Sequence, residues 1–80
     1  AKRFAAKEAC VKALGKEGLS WLDMEVSKLV NGAPVMTLHG TAKKRLAELT
    51  PAGHTAKIWL TLSDAYPFAL AHIVISAERK

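Results

Sequence analysis

The sequence predicts an α+β domain in which two helices pack on an antiparallel sheet, and three observations carry that expectation. The opening stretch is rich in Ala, Lys and Glu and holds no Gly or Pro, as a helix requires. Two later stretches alternate apolar and polar residues with a period of two, the mark of half-buried strands. Asn31-Gly32 followed by Pro34 is a hairpin-turn signal. The resulting order is helix, hairpin, helix, hairpin, which places helices on an antiparallel sheet.

The first helix runs from Lys2 to Leu14 and stops at Gly15. Most of its apolar positions are small (Ala5, Ala6, Ala9, Cys10 and Ala13), so it can approach a sheet closely and reads as largely buried. Lys16-Glu17-Gly18 is a short loop. From Leu19 to Leu29, Leu22, Met24 and Val26 share one strand face, and Asp23, Glu25 and Ser27 the other. Val35 to His39 returns as the second strand, so Trp21 to His39 forms a hairpin with Pro34 where a missing donor does least harm. Thr41 is positioned to cap a second helix reaching about Leu49, ended by Pro51 and Gly53. Ala42, Leu46 and Leu49 fall on its apolar face. Ile58, Leu60 and Leu62 alternate with Lys57, Trp59, Thr61 and Ser63 in a third strand. Asp64 to Pro67 turns the chain. Phe68 to Ser76 is nearly continuous in apolar residues, the pattern of a strand covered on both faces.

Eighty residues fit a single domain, 1–80, and half of them are apolar. A chain this short buries roughly 60–65% of the surface its unfolded form exposes, so it leans on partners for stability. Twelve Lys and Arg against seven Asp and Glu leave a net charge of +5, which favours acidic or phosphorylated partners. The apolar content excludes a disordered chain, and charges interrupt every stretch long enough to span a membrane. One Cys excludes an intrachain disulfide framework and fits a reducing, cytoplasmic setting. The start, Ala1-Lys2-Arg3-Phe4, has no signal-peptide pattern and no initiator Met, as expected of a processed chain, a fragment or an excerpt.

The most informative stretch is Arg3 to Gly15. Glu8 and Lys12 are four apart and share a helix face, with Ala1 and Ala5 on the same stripe leaving room for a ligand. A carboxylate can hold a hard cation such as magnesium, and a Lys one turn later can reach a phosphate that the cation also touches. An ordinary surface pair, worth about 0.3–0.5 kcal/mol, accounts for the spacing equally well. Five of the first sixteen residues are basic (Lys2, Arg3, Lys7, Lys12, Lys16).

Phe-Ala-Ala-Lys-Glu-Ala, then Lys12, then Ala13-Leu14-Gly15, resembles the signature of the 4'-phosphopantetheinyl transferases, in particular their holo-acyl-carrier-protein synthase branch. The resemblance continues in order through Asp23-Met24-Glu25-Val26, Asn31-Gly32-Ala33-Pro34, Leu38-His39-Gly40 with its Lys- and Ala-rich helix, Leu60 to Asp64, and Ala69 to Ser76. It implies a magnesium-dependent transferase that moves the phosphopantetheine arm of coenzyme A onto a Ser of apo acyl carrier protein in support of fatty acid biosynthesis. Adenosine 3',5'-bisphosphate is the other product. By the same resemblance Glu8 would be the metal ligand and help activate the attacking Ser, and Lys12 would contact the coenzyme phosphates. Gly15, Asn31, Gly32, Pro34 and Thr61 would lie near the coenzyme. The branch further implies a homotrimer with active sites between subunits.

Three departures accompany the resemblance. The family opens with a strand carrying a metal-binding Asp, and no acidic residue precedes Glu8 here, so the 80 residues are expected to be the later two-thirds or so of such a domain. Lys16-Glu17-Gly18 stands where the family usually has Thr-Gly and a short loop. Trp59 stands where many members carry a His in the penultimate strand.

The remaining reactive residues have plain structural accounts. His39, His54 and His72 do not have metal-ligand spacing. Cys10 reads as a small buried hydrophobe, Met24 and Met36 as core, and Trp21 as an anchor of the hairpin to the helices. Lys43-Lys44-Arg45 is a solvated helix face or a docking patch for acidic partners. Two alternatives stand beside the transferase. One is a small basic nucleic-acid-binding module, with charge for it and a chain holding only five aromatics against it. The other is an inactive fragment of the transferase. The expected partners are coenzyme A and acyl carrier protein, with neither membrane nor nucleic acid.

Overall fold

The computed structural model describes residues 2–65 and 67–80. Ala1, placed by its spacing on the Glu8 stripe, lies outside the described residues. The elements are α1 (Lys2–Leu14), a 3-10 turn (Trp21–Asp23), β1 (Met24–Lys28), β2 (Pro34–Leu38), α2 (Gly40–Leu49), β3 (His54–Ala65) and β4 (Phe68–Arg79). The α+β class and the order of elements are those expected from the sequence. The sheet, however, is divided. β1 pairs antiparallel with β2 and β3 with β4, giving two separate two-stranded sheets.

The core lies where α1 crosses the two hairpins. Ala6, Cys10 and Leu14 recur every fourth residue and are fully buried, together with Met24, Met36, Leu38 and Ala42. Ile58, Leu60, Leu62, Ala71, Ile73 and Ile75, from one face of β3 and β4, pack against them. Burying Leu14 and Met24 contributes roughly 1.5–3 kcal/mol each. Only this narrow stripe of α1 is buried. Ala13, expected inside, is exposed, because small residues crowd the contact without filling a wider face.

Several local expectations are corrected. The strand expected from Leu19 begins only at Met24, and Leu22 points outward, 92% exposed. The cause is Asp23. Its Oδ2 accepts the N–H and the Oγ1–H of Thr41 at 3.2 and 3.0 Å, while its carbonyl accepts the His39 N–H at 2.8 Å. Asp23, not Thr41, therefore holds the start of α2. Gly40 adopts φ +52 directly above it, where a Cβ would lie 2.7 Å from Asp23 Oδ2. The second strand is Pro34–Leu38, one residue earlier than its alternation suggests. Asp64 and Ala65, expected in a turn, extend β3; Tyr66, in that same expected turn, is outside the described residues. His54, expected in a loop, opens β3. β4 is not covered on both faces: Phe68, Leu70 and Val74 are exposed, joined across the ladder by Trp59, which pairs with Val74.

Trp21 does anchor the hairpin, meeting Phe4 of α1 edge to face with ring centroids 4.6 Å apart. Met24 and Met36 are in the core as expected. No helix among the described residues is long and apolar enough to cross a membrane.

Candidate active site

Two cavities gather most of the residues singled out by the sequence. The first is an open groove of about 690 Å³ between α1 and the start of β4. Its floor is made by Ala5, Ala9, Ala69 and Ala71, its walls by Phe4, Phe68 and Leu70, and its polar rim by Glu8 and Lys12. The small side chains of α1 create this space: larger residues at 5 and 9 would fill it. Glu8 and Lys12 stand one helical turn apart, with Lys12 Nζ 3.9 Å from Glu8 Oε1. The Glu8 side chain is half exposed and Lys12 more so, hence the pair itself adds little stability. Both ends remain available to a ligand.

The second cavity, of about 310 Å³, lies beside the first hairpin and the start of α1. Gly32 and Pro34 line it together with Lys2, Arg3, Lys28 and Leu62. Three cationic side chains on so small a cavity make it a natural receptor for an anion. Lys2 also pairs with Asp64 at 2.8 Å. The basic opening residues carried a signal for this cavity in the sequence; the participation of Lys28 comes only from the fold.

The other expected residues lie apart. Gly15 ends α1 at φ +64, its N–H directed to Val11 O and Lys12 O, both at 3.1 Å. Asn31 shapes the hairpin turn: its Oδ1 accepts the Ala33 N–H at 3.0 Å, while Gly32 at φ +86 donates to Leu29 O. Thr61 is on the outward face of β3 opposite His72, and lines neither cavity. One chain thus brings Glu8 to Lys12, and Gly32 to Pro34, without bringing the two pairs together.

Among the described residues no three His, Cys, Asp or Glu side chains form a metal-binding group. Glu8 is a single carboxylate in the groove. That suits a hard cation that takes most of its oxygens from phosphate and water. His39 Nε2 pairs with Glu25 Oε1 at 3.0 Å, and His54 Nδ1 lies 2.9 Å from Ala52 O. Cys10 is buried and its surroundings push the thiol pKa up by desolvation, the opposite of what a nucleophilic thiolate needs. In the Lys43-Lys44-Arg45 run, Arg45 turns inward to Leu14 O, leaving Lys43 and Lys44 exposed.

Comparison with known proteins bears on this arrangement. A sequence model of the 4'-phosphopantetheinyl transferase superfamily matches residues 1–71. A protein of Cereibacter sphaeroides named holo-[acyl-carrier-protein] synthase is 54% identical, covering 98% of this chain and 59% of its own length. One of that name from a Ruegeria species is 56% identical, covering 98% of this chain and 57% of its own. A solved Helicobacter pylori holo-[acyl-carrier-protein] synthase in complex with coenzyme A superposes with a TM-score of 0.72 at 33% identity, over 94% of this chain and 62% of that one. The holo-ACP-synthase of Plasmodium yoelii gives 0.74 at 35% identity, over 99% and 57%. The chain therefore spans about three-fifths of the length of these relatives. With this match along nearly all of its residues, in sequence and in fold, the chain belongs to the 4'-phosphopantetheinyl transferase superfamily.

Proposed function

We propose that this chain forms the coenzyme-binding part of a holo-[acyl-carrier-protein] synthase. The reaction is magnesium-dependent transfer of the 4'-phosphopantetheine arm of coenzyme A to a serine of apo acyl carrier protein, in the cytoplasm and in service of fatty acid synthesis. The observation that carries the reading is Glu8 and Lys12 standing one turn apart over the groove, inside the stretch shared with the superfamily. The names of the relatives and the coenzyme A in the Helicobacter pylori structure support the choice of substrate.

In this reading the serine hydroxyl gives up its proton to solvent and its oxygen bonds to the phosphorus that bears the pantetheine arm. The bridging oxygen leaves with adenosine 3',5'-bisphosphate. Such a transfer asks the protein for alignment and charge neutralisation more than for covalent help. Glu8 is the residue that would hold a magnesium ion, whose charge would offset that of the diphosphate, and its carboxylate is the group that would assist the incoming serine. Lys12 donates to a phosphate oxygen from the same side. Gly15 lets the chain turn away beside the phosphates without a side chain in the way. The basic cavity at Lys2, Arg3 and Lys28, with Gly32 and Pro34 in its lining and Asn31 shaping the turn beside them, receives the phosphorylated nucleoside end. Thr61 serves the coenzyme from the outer face of β3.

The two cavities open on different parts of one chain, and the outer face of β3 and β4 leaves Trp59, Phe68, Leu70 and Val74 exposed among polar side chains. Both facts support a homotrimer in which one copy's groove is completed by the basic cavity of the next. The test is transfer of the arm to apo carrier protein by the full-length protein, with and without magnesium. Glu8→Ala is expected to lower kcat/KM by about a hundredfold or more, since a bound cation supplies several kcal/mol of charge stabilisation. Transfer that needs no divalent ion, or that survives Glu8→Ala unchanged, would overturn these roles.

A further inference from the structure

We propose that Arg45 is a positioning residue for the coenzyme phosphates. It acts through the C-terminal turn of α1, and the inference rests on the transferase reading above. The last four carbonyls of a helix have no partner within it. At the end of α1, Gly15 N–H is shared between Val11 O and Lys12 O, and the guanidinium of Arg45 takes Leu14 O, its Nε donating at 2.9 Å. This bond crosses 31 residues of sequence and joins α2 to the end of α1. Arg45 is itself held: Nη1 lies 3.5 Å from Glu48 Oε1, and its side chain is three-quarters buried. Nη2 sits 3.9 Å from where a Cβ on Gly15 would stand. A cation at a helix C-terminus also opposes the negative end of the helix dipole.

Lys12 belongs to the turn that Arg45 closes, whereas Glu8 lies a full turn earlier, over buried Ala6 and Cys10. Freeing Leu14 O lets the last turn fray, so Lys12 and Gly15 must be ordered again each time a phosphate binds. That cost falls on affinity. The packing of Glu8 is untouched, so the chemical step is unaffected.

The experiment uses the full-length enzyme. Arg45→Met keeps the apolar stem and removes the donors. It should raise KM for coenzyme A about tenfold, change kcat less than twofold and leave KM for the carrier protein alone. Arg45→Lys, which returns a donor to Leu14 O, should bring KM back to within about threefold of the parent. Amide hydrogen exchange at residues 12–15, whose N–H groups close the last turn of α1, should quicken in Arg45→Met and recover in Arg45→Lys. Arg45→Leu, also apolar and without donors, should raise the same KM; it carries the test if Arg45→Met does not fold. An unchanged coenzyme KM, a kcat that falls as far as kcat/KM, or an Arg45→Lys no better than Arg45→Met overturns the inference. If the parent enzyme binds coenzyme A yet transfers nothing, the transferase reading fails, and the inference is still judged by the dissociation constant of coenzyme A. A parent that binds no coenzyme A overturns both.

Discussion

The two hairpins of this chain are built from the same kind of alternating sequence and reach opposite states. β1–β2 is five residues on each strand, and it places Met24, Met36 and Leu38 in the core while Asp23 ties its entrance to α2. β3–β4 is twelve residues on each strand. Its inner face meets α1, while Trp59, Phe68, Leu70 and Val74 stand on its outer face in solvent. The short hairpin is finished within one chain. The long one leaves four large apolar side chains on its outer face that these 80 residues do not cover, and exposed clusters of that kind commonly mark contact surfaces.

Truncation at the open end of the short hairpin, where its strands enter the core, should do the most damage. Met24→Ala opens a cavity at a fully buried site and should lower unfolding stability by about 2–5 kcal/mol in a denaturant titration. The join to α2 comes next. Gly40→Ala forces a Cβ onto the Asp23 carboxylate at positive φ and should cost about 1–3 kcal/mol by the same measurement. A loss below about 0.3 kcal/mol would mean that Asp23 does not fix the start of α2.

The third effect depends on pH. Burial raises the Cys10 thiol above its ordinary pKa, so the folded chain holds that proton when the unfolded one has released it. The stabilisation is complete below the ordinary thiol pKa, near ~8.5, and is lost as pH rises through the raised folded value. Cys10→Ala should flatten this part of the pH profile of unfolding. The smallest effect on chain stability belongs to the long hairpin. Val74→Lys, on the open face, should shift single-chain stability by less than about 0.5 kcal/mol while abolishing self-association in sedimentation experiments on the full-length protein. Association that persists would separate this face from the proposed trimer.

Much of this was legible without coordinates, for a physical reason. α1 was bounded to the residue because Gly15 is the left-handed stop that an Ala-rich helix needs. The Asn31-Gly32 turn fixed the first hairpin because few other residues accept its backbone. Glu8 and Lys12 share the groove because helical spacing alone decides that. What escaped depended on distant partners. The 3-10 turn at Trp21 is capped by Ser20 and fastened by a carboxylate reaching Thr41, eighteen residues on. Arg45 read as solvated surface because its acceptor is a carbonyl thirty-one residues earlier. The apolar run of β4 read as doubly covered because hydropathy records what a strand can be buried by, not whether the same chain supplies it. The separation of Gly32 and Pro34 from Glu8 was invisible for a similar reason: spacing along a chain says nothing of which cavity a hairpin tip adjoins.

The two indoles sit in unlike settings. Trp21 is braced edge-on by Phe4, where α1 meets the short hairpin. Trp59 donates through Nε1 to Ser76 Oγ, with the Lys57 ammonium 5.8 Å from its ring, on the bare sheet. Ultraviolet emission from this chain is thus a blend of two spectroscopic beacons. One dims or shifts when the internal architecture loosens, and the other when something settles over the outside.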